Sequence, residues 1–181
     1  LLGVTLHSAR AGSYVLEGLN SGDATNWVGG NLQGWGELTN IPCRVRLTGG
    51  KVGTNTFVIS FPHFSGMIWG FEGLNTFTNS PNVILPSPTL SAPPDANWSY
   101  TFNVSVTNAN DDATIGFNAR IAAGAHLNNG SSLRLDGLPQ SMGNLQIPKP
   151  AAGPREPDLT ITKTGNATAP QKSSIPHGCS V

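Results

Sequence analysis

Apolar and polar residues alternate with a period of two in two successive runs between Trp98 and Leu127. The first run covers residues 100–107, the second covers residues 115–121, and an Asn/Asp-rich stretch separates them. Strict alternation predicts strands that bury one face each, and the polar stretch predicts a turn that folds the second strand back on the first. A second sheet must cover the apolar face of such a pair. The pattern therefore predicts a sandwich whose core contains Phe102, Val104, Ile115, Phe117 and Ile121.

The rest of the chain repeats short β-prone runs between turn-forming residues. Further strands are predicted at residues 13–19, 43–50, 56–61, 82–86 and 132–137. Residues 138–147 are expected to close the sandwich, and no helix longer than one turn is indicated. We therefore expect an all-β fold, an antiparallel β-sandwich of the Ig-like or jelly-roll-like type, with Gly-rich loops and a C-terminal extended strand and tail.

A Pro-rich stretch divides the chain near its C-terminal end. Residues 148–157 predict a stiff, extended linker between a sandwich domain over residues 1–147 and a C-terminal strand with its tail over residues 158–181. That strand has no domain of its own to complete. We therefore expect it to pair with a sheet edge, either of its own sandwich or of a neighbouring subunit. The residues assigned to this assembly strand are Leu159, Ile161 and Lys163.

The first residues permit two interpretations. Residues 1–6 either form an ordered N-terminal strand, with Leu2, Val4 and Leu6 as its apolar positions, or end the apolar region of a secretory signal that finishes near Ala9–Ala11. We favour the strand.

Composition places this fold in an extracellular setting. Ten basic and ten acidic residues cancel, and only 11% of the 181 residues are charged, so no basic patch is available for nucleic acid. No apolar run approaches the roughly 18 residues that a membrane span needs. Low charge with many Ser, Thr and Asn residues is common in extracellular β proteins. We expect a secreted protein of the cell surface, with no nucleic-acid partner and no membrane span.

Cys43 and Cys179 leave three states open: an intramolecular disulfide that ties the tail to the sandwich, an intermolecular disulfide, or free thiols. The intramolecular bond would contribute about 4–5 kcal/mol in loop-entropy terms. Two cysteines alone cannot form a zinc site, and the four histidines show no metal-ligand spacing. We expect no cofactor and no metal. One weak calcium candidate, the turn of Asn110, Asp111 and Asp112, lacks the distal Glu of a calcium loop, so an ordinary Asx turn is favoured.

Two Gly-rich, aromatic stretches interrupt the strands. The first, residues 18–40, contains Trp27 and Trp35, and a loop of this length is either packed by its own aromatic rings or functional. We favour rings that pin the loop to the sandwich. The alternative is a glycan-stacking platform, which would need acidic and amide groups beside it. The second stretch, residues 63–81, carries further aromatic residues.

Four N-x-S/T sequences provide candidate glycosylation sites if the host glycosylates secreted proteins. They begin at Asn97, Asn103, Asn129 and Asn166. Asn103 alternates with Phe102 and Val104, so its side chain is predicted to face solvent.

No catalytic motif is found in the chain. It contains no G-x-S-x-G nucleophile elbow, and its few carboxylates define no glycosidase pair. We therefore expect no enzymatic activity, and a secreted hydrolase is the least favoured hypothesis.

Structural motifs occur in several segments over most of residues 14–165. These segments are LEGLNSGDATNW, NLQGWGELTNIPCRVRLTGG, SPTLSAPPDANWSYTFNVSVT, ARIAAGAHLNNGSSLRLDG, NLQIPKPAAG and PDLTITKTG. Together they resemble large bacterial surface proteins that carry an N-terminal β module followed by tandem Ig-like repeats of unknown biochemical function. PDLTITKTG is similar to the opening strand of the first repeat, although the residues after it fall far short of the roughly 100 that an Ig-like domain requires. The resemblance implies an extracellular, non-enzymatic role and no particular ligand.

Two main functional hypotheses follow. The first is an extracellular structural protein, a subunit of a surface filament, pilus-like fibre or surface layer, in which copies of the chain assemble with one another by β-strand donation. The alternative is a carbohydrate- or surface-binding adhesin module that uses Trp27 and Trp35 to hold a glycan.

Overall fold

The computed structural model describes residues 13–49, 52–65, 67–94, 96–108, 112–128 and 131–151. Within these ranges the chain forms strands and two 3₁₀ turns, Ala125–Leu127 and Gln140–Met142. The strands are β1 Tyr14–Gly18, β2 Gly30–Asn31, β3 Asn40–Leu47, β4 Gly53–Pro62, β5 Phe64–Ser65, β6 Ile68–Trp69, β7 Phe71–Asn79, β8 Val83–Ile84, β9 Thr89–Ser91, β10 Asn97–Val106, β11 Ala113–Ile121, β12 Ser132–Leu138 and β13 Asn144–Pro148. No helix in these ranges has the length and apolar character needed to cross a membrane.

Two sheets pack face to face around one hydrophobic core. One sheet has the order β1-β3-β11-β7, and the other has the order β2-β13-β12-β4-β10-β8, with β9 also paired to β10. Neighbouring strands are antiparallel except for β2, which runs parallel to β13. The short hairpin β5–β6 forms a separate two-stranded sheet. The prediction of an all-β antiparallel sandwich is therefore confirmed.

The two strands with the clearest alternation, β10 and β11, do not pair with each other. β10 pairs with β4, β8 and β9, whereas β11 pairs with β3 and β7 in the other sheet. The expected hairpin is thus wrong, because the chain crosses between sheets after β10. Alternation determines which face of a strand is buried, but it does not determine which strand lies beside it. Two strands that face each other across the sandwich satisfy the same pattern.

All five residues predicted for the core are buried, at 2% exposure or less: Phe102, Val104, Ile115, Phe117 and Ile121. The rings of Phe102 and Phe117 lie 6.0 Å apart between the sheets. Phe102 also stacks on Phe57 of the neighbouring strand β4, with 4.8 Å between ring centroids. Phe77 of β7 meets Phe102 edge-on at 5.7 Å. The aromatic rings of both sheets therefore form one continuous layer.

The sandwich extends past the boundary predicted at residue 147. β13 continues to Pro148, which pairs with Ser132, and a proline is tolerated there because it is the last residue of the strand. Ala151 then forms a parallel bridge with Gly36. Residues 148–151 thus belong to the sandwich rather than to a linker.

Two predicted segments lie outside the described residues. They are the N-terminal strand with Leu2, Val4 and Leu6, and the assembly strand with Leu159, Ile161 and Lys163. Both stay predictions.

The described chain starts and ends at opposite ends of the sandwich. β1 begins at Tyr14, which pairs with Leu47, the last residue of β3. Ala151 accepts a hydrogen bond from the Glu37 N–H (3.2 Å), shortly before β3 begins at Asn40. β3 has 8 residues and so spans about 25 Å. We call these two ends the amino-terminal end and the carboxy-terminal end of the sandwich.

Replacing Phe117 by alanine tests the assignment of the core. The side chain is 2% exposed, so its loss should lower the free energy of unfolding by about 3–5 kcal/mol. Ile84→Ala, at a residue that is 59% exposed, is the control and should change it by less than about 1 kcal/mol. Urea denaturation followed by fluorescence measures both. An unchanged midpoint for Phe117→Ala would contradict the inward facing of β11.

Candidate functional site

Four side chains with aromatic rings gather at the carboxy-terminal end of the sandwich. His63 follows β4, Phe64 and Trp69 pair across the β5–β6 hairpin, and Trp98 lies near the start of β10. The His63 ring stacks on Trp98, with 3.4 Å between centroids and 16° between planes. It meets Trp69 nearly at right angles, with 5.0 Å between centroids. We call these four residues the aromatic cluster.

Hydrogen bonds fix the cluster against the sandwich. His63 Nδ1 lies 2.7 Å from the Phe71 carbonyl oxygen, and because a carbonyl only accepts, Nδ1 carries the hydrogen. The Gly70 N–H donates to the His63 carbonyl oxygen (2.9 Å), and the Ala122 N–H donates to that of Gly70 (3.0 Å). A side chain at Gly70 would collide with the backbone of Pro62. The hairpin is therefore held close to the ends of β4 and β11.

The aromatic cluster forms one wall of an apolar groove. Ala92, Pro93 and Pro94 form the other wall, and the groove has a volume of about 370 Å³. Among the described residues, no charged side chain lines it. Concave, mostly apolar surfaces of this size are typical of ligand sites.

Trp69 also lines a second concavity. This space of about 270 Å³ is lined by Trp69, Glu72, Ala122 and Ala123. The Glu72 carboxylate forms an ion pair with Arg120 of the neighbouring strand β11. Trp69 is 44% exposed. Trp69 therefore lines both the apolar groove and a concavity that contains the Glu72 carboxylate.

The tip of the β5–β6 hairpin exposes a hydrophobic side chain. Met67 is 87% exposed and has a φ of 68°, in the left-handed region that favours glycine and asparagine. Tight hairpin turns require positive φ values, so this conformation follows from the turn. The tip thus adds an apolar group beside the aromatic cluster.

A buried carboxylate anchors the turn next to this hairpin. Glu37 Oε1 accepts hydrogen bonds from the backbone N–H of His126 (2.8 Å) and from its ring Nδ1–H (2.6 Å). His126 lies in the 3₁₀ turn Ala125–Leu127, which packs near β6. Because the Glu37 N–H binds Ala151, this residue connects the turn to the point where the described chain ends.

The two tryptophans proposed as a glycan platform contact different parts of the sandwich. Trp35 Nε1–H donates to the Leu19 carbonyl oxygen (2.8 Å), and the ring packs against the core. The Arg44 guanidinium lies over the Trp27 ring, 4.4 Å from its centroid. These contacts fasten residues 18–40 to the sandwich, as in the interpretation that we favoured.

The calcium candidate is only partly described. Asn110 and Asp111 lie outside the described residues, and Asp112 Oδ2 accepts a hydrogen bond from Arg46 Nη1 (2.9 Å). Arg46 Nη2 also donates a hydrogen bond to Glu17 Oε1 (3.1 Å). The bond to Glu17 is the largest cause of the raised pKa of the Arg46 guanidinium, and the bond to Asp112 is the second. Asp112 is thus engaged by a cationic side chain. No group of three potential metal ligands occurs in the part of the chain that the structure describes.

Cys43 is a free thiol in the core. It lies between Ile41 and Val45 on the inward face of β3, and burial raises the pKa of its thiol. Cys179 lies outside the described residues. A disulfide between the two would require the tail to enter the interior of the sandwich. Cys43 is a free thiol among the described residues, and both disulfide states stay predictions.

Two of the four sequon asparagines lie on a described strand. Asn97 and Asn103 are both exposed on β10, and Asn103 faces solvent as predicted. Asn103 Oδ1 accepts a hydrogen bond from Thr56 Oγ1 (2.9 Å). Asn129 and Asn166 lie outside the described residues.

Spacing in the sequence does not reveal the aromatic cluster. Trp98 is distant in sequence from the hairpin, and only the pairing of Pro62 with Asn97 brings them together. The available signal was the density of aromatic residues in the stretch 63–81.

A scan against models of known protein families and a search of curated proteins both found no match to this chain. The resemblance to bacterial surface proteins therefore stays a prediction.

A thiol-labelling experiment checks the burial of the Cys43 thiol. In a Cys179→Ser variant, iodoacetamide should leave the native protein unmodified, because Cys43 is buried and its raised pKa disfavours the reactive thiolate. After unfolding in guanidinium chloride, intact-mass spectrometry should show a single adduct. Rapid labelling of the native variant would contradict the burial of this thiol.

Proposed function

We propose that this protein is an extracellular, non-enzymatic structural module, a subunit of a surface filament, pilus-like fibre or surface layer. The observation that carries the proposal is the position of Tyr14 and Ala151 at opposite ends of the sandwich. A module of this kind continues in line when it is joined to neighbours. A module with both connections at one end would instead project sideways from the chain.

The surface supports an extracellular setting. Charged residues are few, and the outward positions of β10 carry Asn, Ser and Thr. The exposed Asn97 and Asn103 are accessible to glycosylation.

Of the two edges of the four-stranded sheet, β1 is better suited to accept a further strand. The four-stranded sheet ends in β1 on one side and in β7 on the other. β7 pairs through two register shifts, and Thr76 within it has a φ of 54°, so its edge is irregular. β1 pairs regularly over Tyr14–Gly18, and among the described residues its outer edge is bridged only at Gly18, to Val28. We infer that residues 158–163 would add to this edge.

A single donated strand would form a weak joint. Burial of Leu159 and Ile161 would contribute about 2 kcal/mol each, and about five ladder hydrogen bonds would contribute roughly 1 kcal/mol each. The total of about 9 kcal/mol lies within the estimated cost of association, about 4–15 kcal/mol. A durable assembly therefore needs further contacts between sandwiches.

Deleting residues 158–181 tests assembly by strand donation. We expect the full chain to form ordered oligomers or fibres, and the truncated chain to remain monomeric because it lacks the donated strand. Light scattering after size-exclusion chromatography and negative-stain electron microscopy measure the outcome. Assembly of the truncated chain to the same extent would show that the tail is not the joint.

A pair of double variants separates strand pairing from a general effect of the tail. Leu159→Asp with Ile161→Asp places charge on the apolar face of the strand and should abolish assembly. Thr160→Asp with Thr162→Asp adds the same charge to the opposite face and should preserve most of it. Equal effects of both variants would argue against a strand with one buried face.

A further inference from the structure

The concavity lined by Trp69, Glu72, Ala122 and Ala123 brings an indole and a carboxylate together, and that carboxylate forms an ion pair with Arg120 of the neighbouring strand. We propose that Trp69, Glu72 and Arg120 bind a neutral pyranose unit of an oligosaccharide. The proposal rests on the described end of the sandwich and does not depend on the structural function proposed above.

The indole of Trp69 provides the apolar half of the site. A pyranose ring has a face of C–H bonds that packs on an aromatic surface, while its rim carries hydroxyl groups that need hydrogen-bond partners. Trp69 is 44% exposed and is the sole aromatic residue among the large hydrophobic residues that the described chain exposes.

The Trp69 ring is held in place before any ligand binds. It contacts the Phe64 ring at 4.6 Å and the His63 ring at 5.0 Å. His63 is itself fixed by its stack on Trp98 and by its hydrogen bond to the Phe71 carbonyl oxygen. A rigid ring loses little conformational entropy on binding, so more of the contact energy contributes to affinity.

The Glu72–Arg120 pair provides the polar half. A carboxylate accepts hydrogen bonds and a guanidinium donates them, so the pair can serve both roles of a sugar hydroxyl. Both side chains remain partly exposed, and Ala122 and Ala123 are small enough to leave room for a ring beside Trp69. A glycan platform needs an aromatic surface together with polar groups. Trp27 also has a paired basic residue beside it, but there the Arg44 guanidinium lies over the ring itself.

Charge favours a neutral ligand. The Glu72 and Arg120 charges cancel locally, and the formal net charge of the whole chain is zero. An acidic sugar would be repelled by Glu72 and would have to compete with it for Arg120. A basic ligand would be repelled by Arg120 and would have to compete with it for Glu72.

A proline-rich peptide is the competing occupant. Such a peptide would use the apolar groove that Trp69 also lines, because aromatic-lined grooves bind polyproline helices. It would not require the Glu72–Arg120 pair. We favour the sugar because only this ligand uses both sets of groups next to Trp69.

Titration of the ¹⁵N-labelled full chain with neutral tetrasaccharides tests the site. The probes are cellotetraose, maltotetraose, mannotetraose and tetra-N-acetylchitotetraose. The 4 Trp residues supply indole N–H signals that individual Trp→Ala variants assign. We expect at least one probe to shift the Trp69 signal saturably while the Trp27 signal stays in place. Tetragalacturonate, which carries a carboxylate on every ring, should cause no shift at the same concentrations.

Variants separate the two halves of the site. Trp69→Ala should weaken binding of the responding tetrasaccharide at least about tenfold, and Glu72→Gln at least about threefold because the charged acceptor is lost. Trp27→Ala is the matched control, since it removes an indole that stacks on Arg44, and it should leave the affinity unchanged. Circular dichroism verifies folding. If Trp69→Ala does not fold, the proposal is tested by the shift of the Trp69 signal in the unaltered chain and by the affinity of Glu72→Gln for the sugar.

Two results would overturn the proposal. One is that no neutral tetrasaccharide shifts the Trp69 signal, and the other is that folded Trp69→Ala binds the sugar as tightly as the unaltered chain. In the first case, decaproline is tested as well, and we look for a shift of the Trp69 signal with an affinity that Glu72→Gln does not change. That outcome would assign this end of the sandwich to a peptide ligand.

Discussion

The packing of β10 against β11 through the interior is the contact on which the rest of the structure depends. Each strand lies inside its own sheet, and the Phe102 and Phe117 rings meet between them. Both strands have polar residues on their outward positions, so the removal of their apolar faces from water holds the two sheets together. Phe57 and Phe77 extend this contact to the neighbouring strands of both sheets.

The same two strands position the carboxy-terminal end. β10 begins next to Trp98, and β11 continues directly into Ala122 and Ala123, so both walls around Trp69 are attached to the central core. The hairpin that carries Trp69 is fastened to the sandwich through His63 and Gly70. A surface loop can therefore present a fixed aromatic ring without a larger supporting domain.

Burial could be predicted from the sequence, whereas pairing could not. A period of two identifies Phe102 and Ile115 as inward-facing in any sheet, but it contains no information about which strand is adjacent. The β10–β11 hairpin was wrong for this reason. The aromatic cluster could not be predicted, because it forms only when β4 and β10 align Pro62 with Asn97. The fixing of Trp35 could be anticipated, since a long loop on a compact domain needs packing of its own.

The opposite positions of the first and last described strands determine how the sandwich would bear tension. A pull on Tyr14 that points outward from the amino-terminal end loads β1 along its own axis, parallel to its ladder with β3. A pull on Pro148 in the opposite direction does the same to β13 against β12. In this shear geometry the hydrogen bonds of each ladder are loaded together, whereas in a peeling geometry they would break one after another. Resistance to stretching, which depends on the rate of unfolding rather than on equilibrium stability, is therefore favoured by the arrangement of the strands.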